Sequence, residues 1–370
     1  MQKRYISLGL MSGTSGDGVD ASLINSDGIE EYESIKDKYY EYDNNIYKQF
    51  HSLKDKINCK KDLTKFYSEI SVLEREITIF HAKVIKDLKI KENFLVGFHG
   101  QTIYHNSHEK ISNQLGDPKL LYQLIQKKIV SNFRDNDLIN GGEGAPLVPI
   151  FHQLIATKNK INLPICIMNI GGISNITIIN KPVGSIDFFS KDIGPGNCLI
   201  DKWVRINSKN KYDVDGKLAS VGKKNEIILE QAHDLFLNRI NKKKSFDVSD
   251  FDISFARGLS LEDGAKTLTD FTARIIADSL SDNISKYKLI KNIILCGGGR
   301  KNKILINQIQ KYLSSNLKLK LIDDYKIDGD FIESQAFGFL AIRTICKLPI
   351  SFPNTTGCTK PTIGGQVTEN

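Results

Sequence analysis

The chain opens on an apolar run, Tyr5 to Met11, followed by the polar segment SGTSGDG and a second apolar run, Val19 to Ile24. That pattern predicts a buried strand, a glycine-bearing turn and a return strand. Apolar positions at helical spacing from Ser71 to Leu88 predict a helix that feeds a short strand, Phe94 to Phe98, ending at His99, Gly100, Gln101 and Thr102. A further helix is expected over Leu120 to Lys127 and a strand over Ile129 to Phe133, before the glycine-rich run INGGEGAP interrupts the pattern. Strand, polar turn and strand then recur at Ile165 to Ile170, Gly171 to Asn175 and Ile176 to Ile179, about 160 residues after the first copy. A long helix around Leu261 to Leu280, the strand Ile293 to Cys296 with Gly297 to Gly299, and helices at Ile304 to Leu313 and Ser334 to Cys346 complete the series. Helices alternating with strands indicate α/β layers, and the repeated hairpin indicates two similar domains facing one cleft.

Bulk properties narrow the class. A chain of 370 residues exceeds one average core and favours two domains. We place the crossover at the glycine run, giving an N-terminal domain of residues 1–140 plus 345–370 and a C-terminal domain of residues 141–344. The net charge of +8 is carried by short scattered groups, such as Lys242 to Lys244 or Lys301 and Lys303, rather than by one basic face, so no nucleic-acid partner is expected. Six widely spaced cysteines without a CxxC pair fit reduced thiols. No stretch approaches the roughly 20 apolar residues of a membrane span, and the N-terminal apolar run is too short for a signal peptide. A cytoplasmic protein with no membrane partner is expected.

Candidate chemistry sits in the turns. Glycine, serine and threonine after a buried strand present backbone N–H groups and hydroxyls to an anion, and phosphate is the natural guest. Gly13, Gly171 and Gly297 each follow an apolar strand, which favours phosphate binding over three unrelated hairpin turns. The segment is neither a GxxxxGK[ST] loop nor a GxGxxG strand-to-helix turn. No His/Cys cluster has zinc spacing.

Eight motifs stand in order along nearly the whole chain: GLMSGTSGDGVDASL, GFHGQTIYHN, QLGDPKLL, NFRDNDLINGGEGAPLVP, NIGGISNIT, DIGPGNCLID, LCGGGRKN and PNTTGCTKP. In them the chain resembles the anhydro-N-acetylmuramic acid kinases, within the superfamily of acetate and sugar kinases, heat-shock protein 70 and actin. The resemblance implies a two-domain actin-like ATPase (RNase H-like) α/β fold with an interdomain active-site cleft, ATP and Mg²⁺ as cofactors, 1,6-anhydro-N-acetylmuramic acid as substrate, and a homodimer. The implied reaction belongs to peptidoglycan recycling: the anhydro ring is opened by water and O6 is phosphorylated, giving N-acetylmuramic acid 6-phosphate. Two alternatives stay open, a kinase of another hexose or amino sugar and a nucleotide-switched binding protein of actin or chaperone type.

Carried onto this sequence, the resemblance assigns ATP binding to Gly13, Thr14, Ser15, Gly16, Asp17, Gly18 and Asp20, to Gly171 and Gly172, and to Gly297, Gly298, Gly299 and Asn302, with Arg300 offering a further polar contact. Met11 stands where sugar kinases usually carry a metal-associated Asp, so Asp17 becomes the candidate Mg²⁺ carboxylate, direct or through water; a turn-forming Asp is the alternative. Asp192, read as lying in a turn that opens the helix containing Asp201 and Trp203, is the candidate general base, against a plain N-cap. His99, Gln101, Arg134 and Glu333 are candidate substrate contacts. Arg134 suits a lactyl carboxylate or else a salt bridge; Glu333 could simply favour a first helical turn, and His99 could be a satisfied structural residue. Gly16, Ile193 and Glu143 depart from the family's usual Leu, Thr and Gln, and Ile193 removes a hydroxyl beside the candidate base.

Overall fold

A computed structural model of the chain describes residues 3–240 and 245–369, so Lys242 to Lys244 lie outside the described residues. Its strands are β1 (Tyr5–Ser12), β2 (Gly18–Ser26), β3 (Tyr32–Glu41), β4 (Leu95–Asn106), β5 (Ile111–Leu115), β6 (Ile129–Ser131), β7 (Ile165–Ile170), β8 (Ile173–Ile179), β9 (Phe188–Pro195), β10 (Asn292–Cys296), β11 (Lys318–Leu321) and β12 (Gln366–Thr368). They form two sheets, ordered β12-β6-β4-β1-β2-β3, with β5 on β4, and β11-β10-β7-β8-β9. In both, a hairpin joins the first two strands antiparallel, and strands that return through helices lie parallel on the other side. Short polar turns enforce the antiparallel pairs and helical crossovers the parallel ones. The same central order occurs twice, the duplicated α/β arrangement expected from the repeated hairpin.

The chain divides into two compact units. Unit one holds the described residues up to Ile161, Lys181–Phe189 and the residues from Asp330 onward; unit two holds Asn162–Asn180 and Ser190–Gly329. The boundaries expected at 140/141 and 344/345 are therefore displaced. The helix Pro149–Lys158 is buried at every position from Pro149 to Ala156, too apolar for a polar outer face. It belongs to unit one, where Phe151 meets Tyr32 edge-on at 5.1 Å and lies 5.5 Å from Phe339. Gln153 on the same helix donates from Nε2 to the carbonyls of Lys181, Pro182 and Ser185, at 2.9, 3.1 and 2.7 Å, which ties the 181–189 segment to that unit. The helix Ile332–Ile345 likewise packs on β1, β2 and β4 of unit one, not in a C-terminal domain.

In unit one the helix Tyr67–Asp87 buries Ile70, Leu73, Ile77, His81 and Val84, the 3-and-4 spacing that makes an apolar stripe. The strand expected to end at Phe98 instead runs on to Asn106. Between the pairs Leu10 with Phe98 and Ser12 with Gln101, β4 advances three residues while β1 advances two. This bulge is centred on His99 and Gly100. Gly100 takes φ +74°, and a Cβ there would lie 2.5 Å from the Leu115 carbonyl oxygen, so glycine is required twice over. Phe98, His99, Gly100 and Gln101 are all buried as a result.

All six cysteines carry thiols; Cys59 is exposed, and Cys166, Cys198, Cys296 and Cys358 are buried. Among the described residues, no helix is long and apolar enough to cross a membrane.

Candidate functional site

The first candidate region is the turn between β1 and β2 in unit one. Its carbonyls are held from within that unit: Gly13 O accepts from Gly16 N–H at 3.1 Å and from Gln101 Nε2 at 2.8 Å, Ser15 O from His51 Nε2 at 2.9 Å, and Asp17 O from Tyr42 N–H at 2.8 Å. Anchored carbonyls fix the peptide planes of the turn, which is what a nest of backbone N–H groups needs. Thr14 is exposed at the tip, while Ser15 and Asp17 are half-buried and joined by a Ser15 Oγ to Asp17 Oδ1 bond of 2.6 Å. Gly16 lies on Phe50, whose ring atoms would be 2.3 Å from a Cβ. Gly18 begins β2, and Asp20 pairs with Met11 across the hairpin.

Beneath the turn, Ser12 Oγ shares a hydrogen bond of 2.9 Å with the Tyr42 hydroxyl and lies 3.4 Å from His81 Nε2. Burial pushes the Tyr42 phenol up and pulls the His81 imidazole down to about 4. Both groups are therefore neutral near pH 7. Sequence inspection missed Tyr42, His81 and His51: each lies 25 or more residues from the turn and carries no local signature.

The bulge in β4 delivers His99 and Gln101 to the same unit. His99 Nδ1 donates to Gly100 O at 2.8 Å, so Nε2 is the acceptor for Arg134, at 2.9 Å from Nη2 and 3.3 Å from Nε. Burial, and next the charge of Arg134, pull His99 down to about 3. A neutral imidazole accepting from a guanidinium is the consistent state. Arg134 also donates from Nη1 to Gly144 O at 2.8 Å. Gln101 is fully buried, with Nε2 committed to Gly13 and, among the described residues, no hydrogen-bond partner on Oε1. Glu333 lies half-buried in the first turn of the helix Ile332–Ile345. The structure thus joins His99 to Arg134 and Gln101 to the phosphate-type turn.

In unit two, Gly171 and Gly172 turn β7 into β8. Their carbonyls accept from the N–H groups of Asn197 (2.8 Å) and of Gly196 and Cys198 (2.8 and 3.2 Å). The start of the helix Cys198–Asn207 is thereby satisfied by the turn itself. A Cβ on Gly196 would lie 2.2 Å from Gly171 O, so the two segments meet backbone to backbone.

Asp192 is not in a turn opening that helix. It lies inside β9, buried, six residues ahead of Cys198. Its Oδ2 accepts from Phe246 N–H at 2.9 Å and Ser245 Oγ at 3.2 Å, and these donors orient the carboxylate in place of a helix N-terminus. Nothing in the local sequence marks Ser245 or Phe246. Ile193 is buried next to it on the strand.

After β10, Gly297 takes φ +80° and a Cβ there would fall 2.2 Å from Asn169 Oδ1. Gly299 packs on Ile170 with equally little room, whereas Gly298 is exposed, with nothing among the described residues within 4 Å of an added Cβ. Asn302 caps the helix Lys303–Tyr312, its Oδ1 accepting from Leu305 N–H at 3.0 Å. Arg300 is buried and bidentate on Asp323 at 2.7 and 2.9 Å, and its hydrogen bonds, with its charge behind them, hold the Asp323 carboxyl below the usual range. The two polar side chains expected at an adenosine are thus engaged within the unit, and Gly298 is the open position of the turn.

A family model described as anhydro-N-acetylmuramic acid kinase matches residues 3–370. A curated relative of that name from Pelagibacter ubique (strain HTCC1062) is 56% identical over 375 residues, covering 100% of both chains. Another of the same name from Zymomonas mobilis subsp. mobilis is 37% identical, covering 98% of this chain and 99% of the relative. A third from Brucella canis is 34% identical, with 97% of each covered.

Proposed function

The chain belongs to the anhydro-N-acetylmuramic acid kinase family, and on that premise we propose that it opens 1,6-anhydro-N-acetylmuramic acid with water and phosphorylates O6 from ATP. Water adds its oxygen to C1 and yields a proton to the base. The C1–O6 bond breaks, O6 bonds to the γ-phosphorus, and ADP departs, leaving N-acetylmuramic acid 6-phosphate. A leaving alkoxide captured by phosphorus needs no separate general acid, so a single carboxylate suffices, in contrast to ordinary glycoside hydrolysis. The observation that carries this assignment is Asp192, a buried carboxylate with one oxygen fixed by two donors. It serves as general base on the water.

The anchored turn Gly13 to Gly18, with Asp20 behind it, and the turn at Gly171 and Gly172 receive the ATP phosphates, where stabilisation comes mainly from positioned donors. Asp17, half-buried in the turn with Oδ1 accepting from Ser15 Oγ, would hold a Mg²⁺ ion, which takes one or two protein carboxylates and leaves its other positions to water and phosphate; the ion would supply positive charge against the ATP phosphates. The Gly297 to Gly299 turn receives the adenosine, with Asn302 stabilising the helix behind it. His99, Gln101, Arg134 and Glu333 contact the sugar, Arg134 facing the lactyl carboxylate. The enzyme acts in the cytoplasm as a homodimer in peptidoglycan recycling.

Turnover in ¹⁸O-water tests the coupling of hydrolysis to transfer. The label is expected on the C1 hydroxyl of the product and absent from the O6–phosphorus bridge, read early enough to precede exchange through ring opening. A phosphorylated product that keeps its anhydro ring would instead make this an ordinary sugar kinase. Gly298→Ala tests the adenosine turn separately. An exposed substitution away from packing is within about 0.5 kcal/mol of neutral, so thermal stability should hold while nucleotide affinity falls several-fold; unchanged affinity removes Gly298 from the site.

A further inference from the structure

The tail motif PNTTGCTKP, residues 353–361, has no part in the chemistry above, although it stands among the eight ordered motifs. In unit one it lies against the glycine loop 140–146. Thr356 is buried and donates from Oγ1 to Asp137 Oδ1 at 2.6 Å, while its carbonyl accepts from Glu143 N–H at 2.9 Å. Thr359 adds bonds from N–H and Oγ1 to Asn140 O, at 3.0 and 3.2 Å. Asp137, fully buried, uses its second oxygen to accept from Gly144 N–H at 2.7 Å, and its carbonyl accepts from Gly142 N–H at 2.9 Å. There is no slack at this carboxylate: a Cβ on Gly142 would sit 2.1 Å from Oδ2.

The loop so gripped ends in the carbonyl that holds Arg134. Gly144 donates its N–H to Asp137 and accepts Nη1 of Arg134 on its oxygen, so the bonds run from Thr356 through Asp137 and Gly144 to Arg134, and on to His99 Nε2. A guanidinium recognises a carboxylate through its planar fork, and the benefit depends on how the fork is aimed before the ligand arrives. Buried, fully bonded networks resist reorientation because each broken bond leaves a polar group unsatisfied.

We propose that Thr356 and Asp137 form a clamp that aims the Arg134 guanidinium at the acidic side chain of the sugar. They are positioning residues and touch no reacting atom. The proposal rests on the assignment of Arg134 to the substrate carboxylate. It adds a role for the C-terminal motif: specificity for an acidic amino sugar over its uncharged counterpart.

The test compares Thr356→Val, Thr356→Ser and Arg134→Lys in the full chain, with 1,6-anhydro-N-acetylmuramic acid and with 1,6-anhydro-N-acetylglucosamine, which lacks the lactyl group. For Thr356→Val, KM for the acidic sugar should rise about tenfold, the loss of one positioning interaction. KM for ATP and the efficiency on the uncharged sugar should stay within about twofold, and Thr356→Ser should restore the wild-type values. A merely structural role would lower activity on both sugars alike, and that result overturns the clamp. Arg134→Lys separates the two claims: if it raises KM for the acidic sugar and Thr356→Val does not, the clamp fails and Arg134 keeps its place. If Arg134→Lys changes neither sugar, the assignment of Arg134 itself fails, and the clamp with it. Should Thr356→Val not fold, Thr356→Ala replaces it, since it removes the hydroxyl that donates to Asp137 Oδ1 without setting a methyl in its place; discrimination between the two sugars should again fall, and unchanged discrimination overturns the clamp.

Discussion

Asp192→Asn is expected to lower turnover of the anhydro sugar by about 10³-fold, the scale of a positioned general base, while nucleotide affinity changes little. The amide has the shape of the carboxylate and its oxygen can still accept from Phe246 N–H and Ser245 Oγ, so β9 should remain as it is. What is lost is the ability to take a proton from water. Steady-state kinetics beside a nucleotide titration of the same preparation separate these effects. Activity within a few-fold of wild type would remove Asp192 as the base and leave its donors a purely architectural explanation. Equal losses of sugar turnover and nucleotide binding would indicate a damaged unit rather than missing chemistry.

Gly9→Ala is expected to cost more stability than any catalytic-site change. On β1 a Cβ at this position would fall 1.8 Å from Ser334 O and 2.4 Å from Gly338 N, both backbone atoms of the helix Ile332–Ile345. A neighbouring side chain could rotate away, but a helix backbone can move only as a whole. Gly97 on β4 is pressed in the same way, 2.2 Å from Phe337 O. Overpacking of this kind costs about 3 kcal/mol, which corresponds to a fall in Tm on the order of 10 °C for a unit of this size. Thermal or urea unfolding reads the effect, with Gly298→Ala as the comparison, since among the described residues that glycine has no neighbour within 4 Å of an added Cβ. Unfolding profiles that coincide for the two variants would show that the helix and β1 do not meet as closely as their backbones indicate.

The hairpins and the long helices were legible from composition and spacing because each is written in adjacent residues. Tyr5 to Met11 and Ile165 to Ile170 are apolar runs closed by glycine-bearing turns, and β1 and β7 lie there. Ser71 to Leu88 shows the helical stripe, and the helix Tyr67–Asp87 follows it. The same locality explains the errors. Phe98 looked like a strand end because His99, Gly100 and Gln101 break the apolar run, yet β4 continues through them by bulging against β1. The glycines of INGGEGAP looked like a domain crossover, but they form a loop held inside unit one by Asp137 and Thr356.

Candidate chemistry divides along the same line. Residue types and turns could be recognised one segment at a time, and they named the turns at Gly13, Gly171 and Gly297; the resemblance to the family added Asp192. Partners could not. Asp192 is oriented by Ser245 and Phe246, 53 and 54 residues away, and Asp137 by Thr356, 219 residues away. Backbone dihedral preference and hydrophobic period act over a few neighbouring residues, so the order of amino acids alone settles the two hairpins, the long helices and the inventory of reactive groups, while the end of β4 and the strand around Asp192 needed tertiary pairing. Hydrogen-bond donors for a buried carboxylate, the aim of Arg134 and the narrow gap at Gly9 exist only once distant segments are packed. Their geometry is set by the close packing of those segments, and the tertiary structure alone decides it.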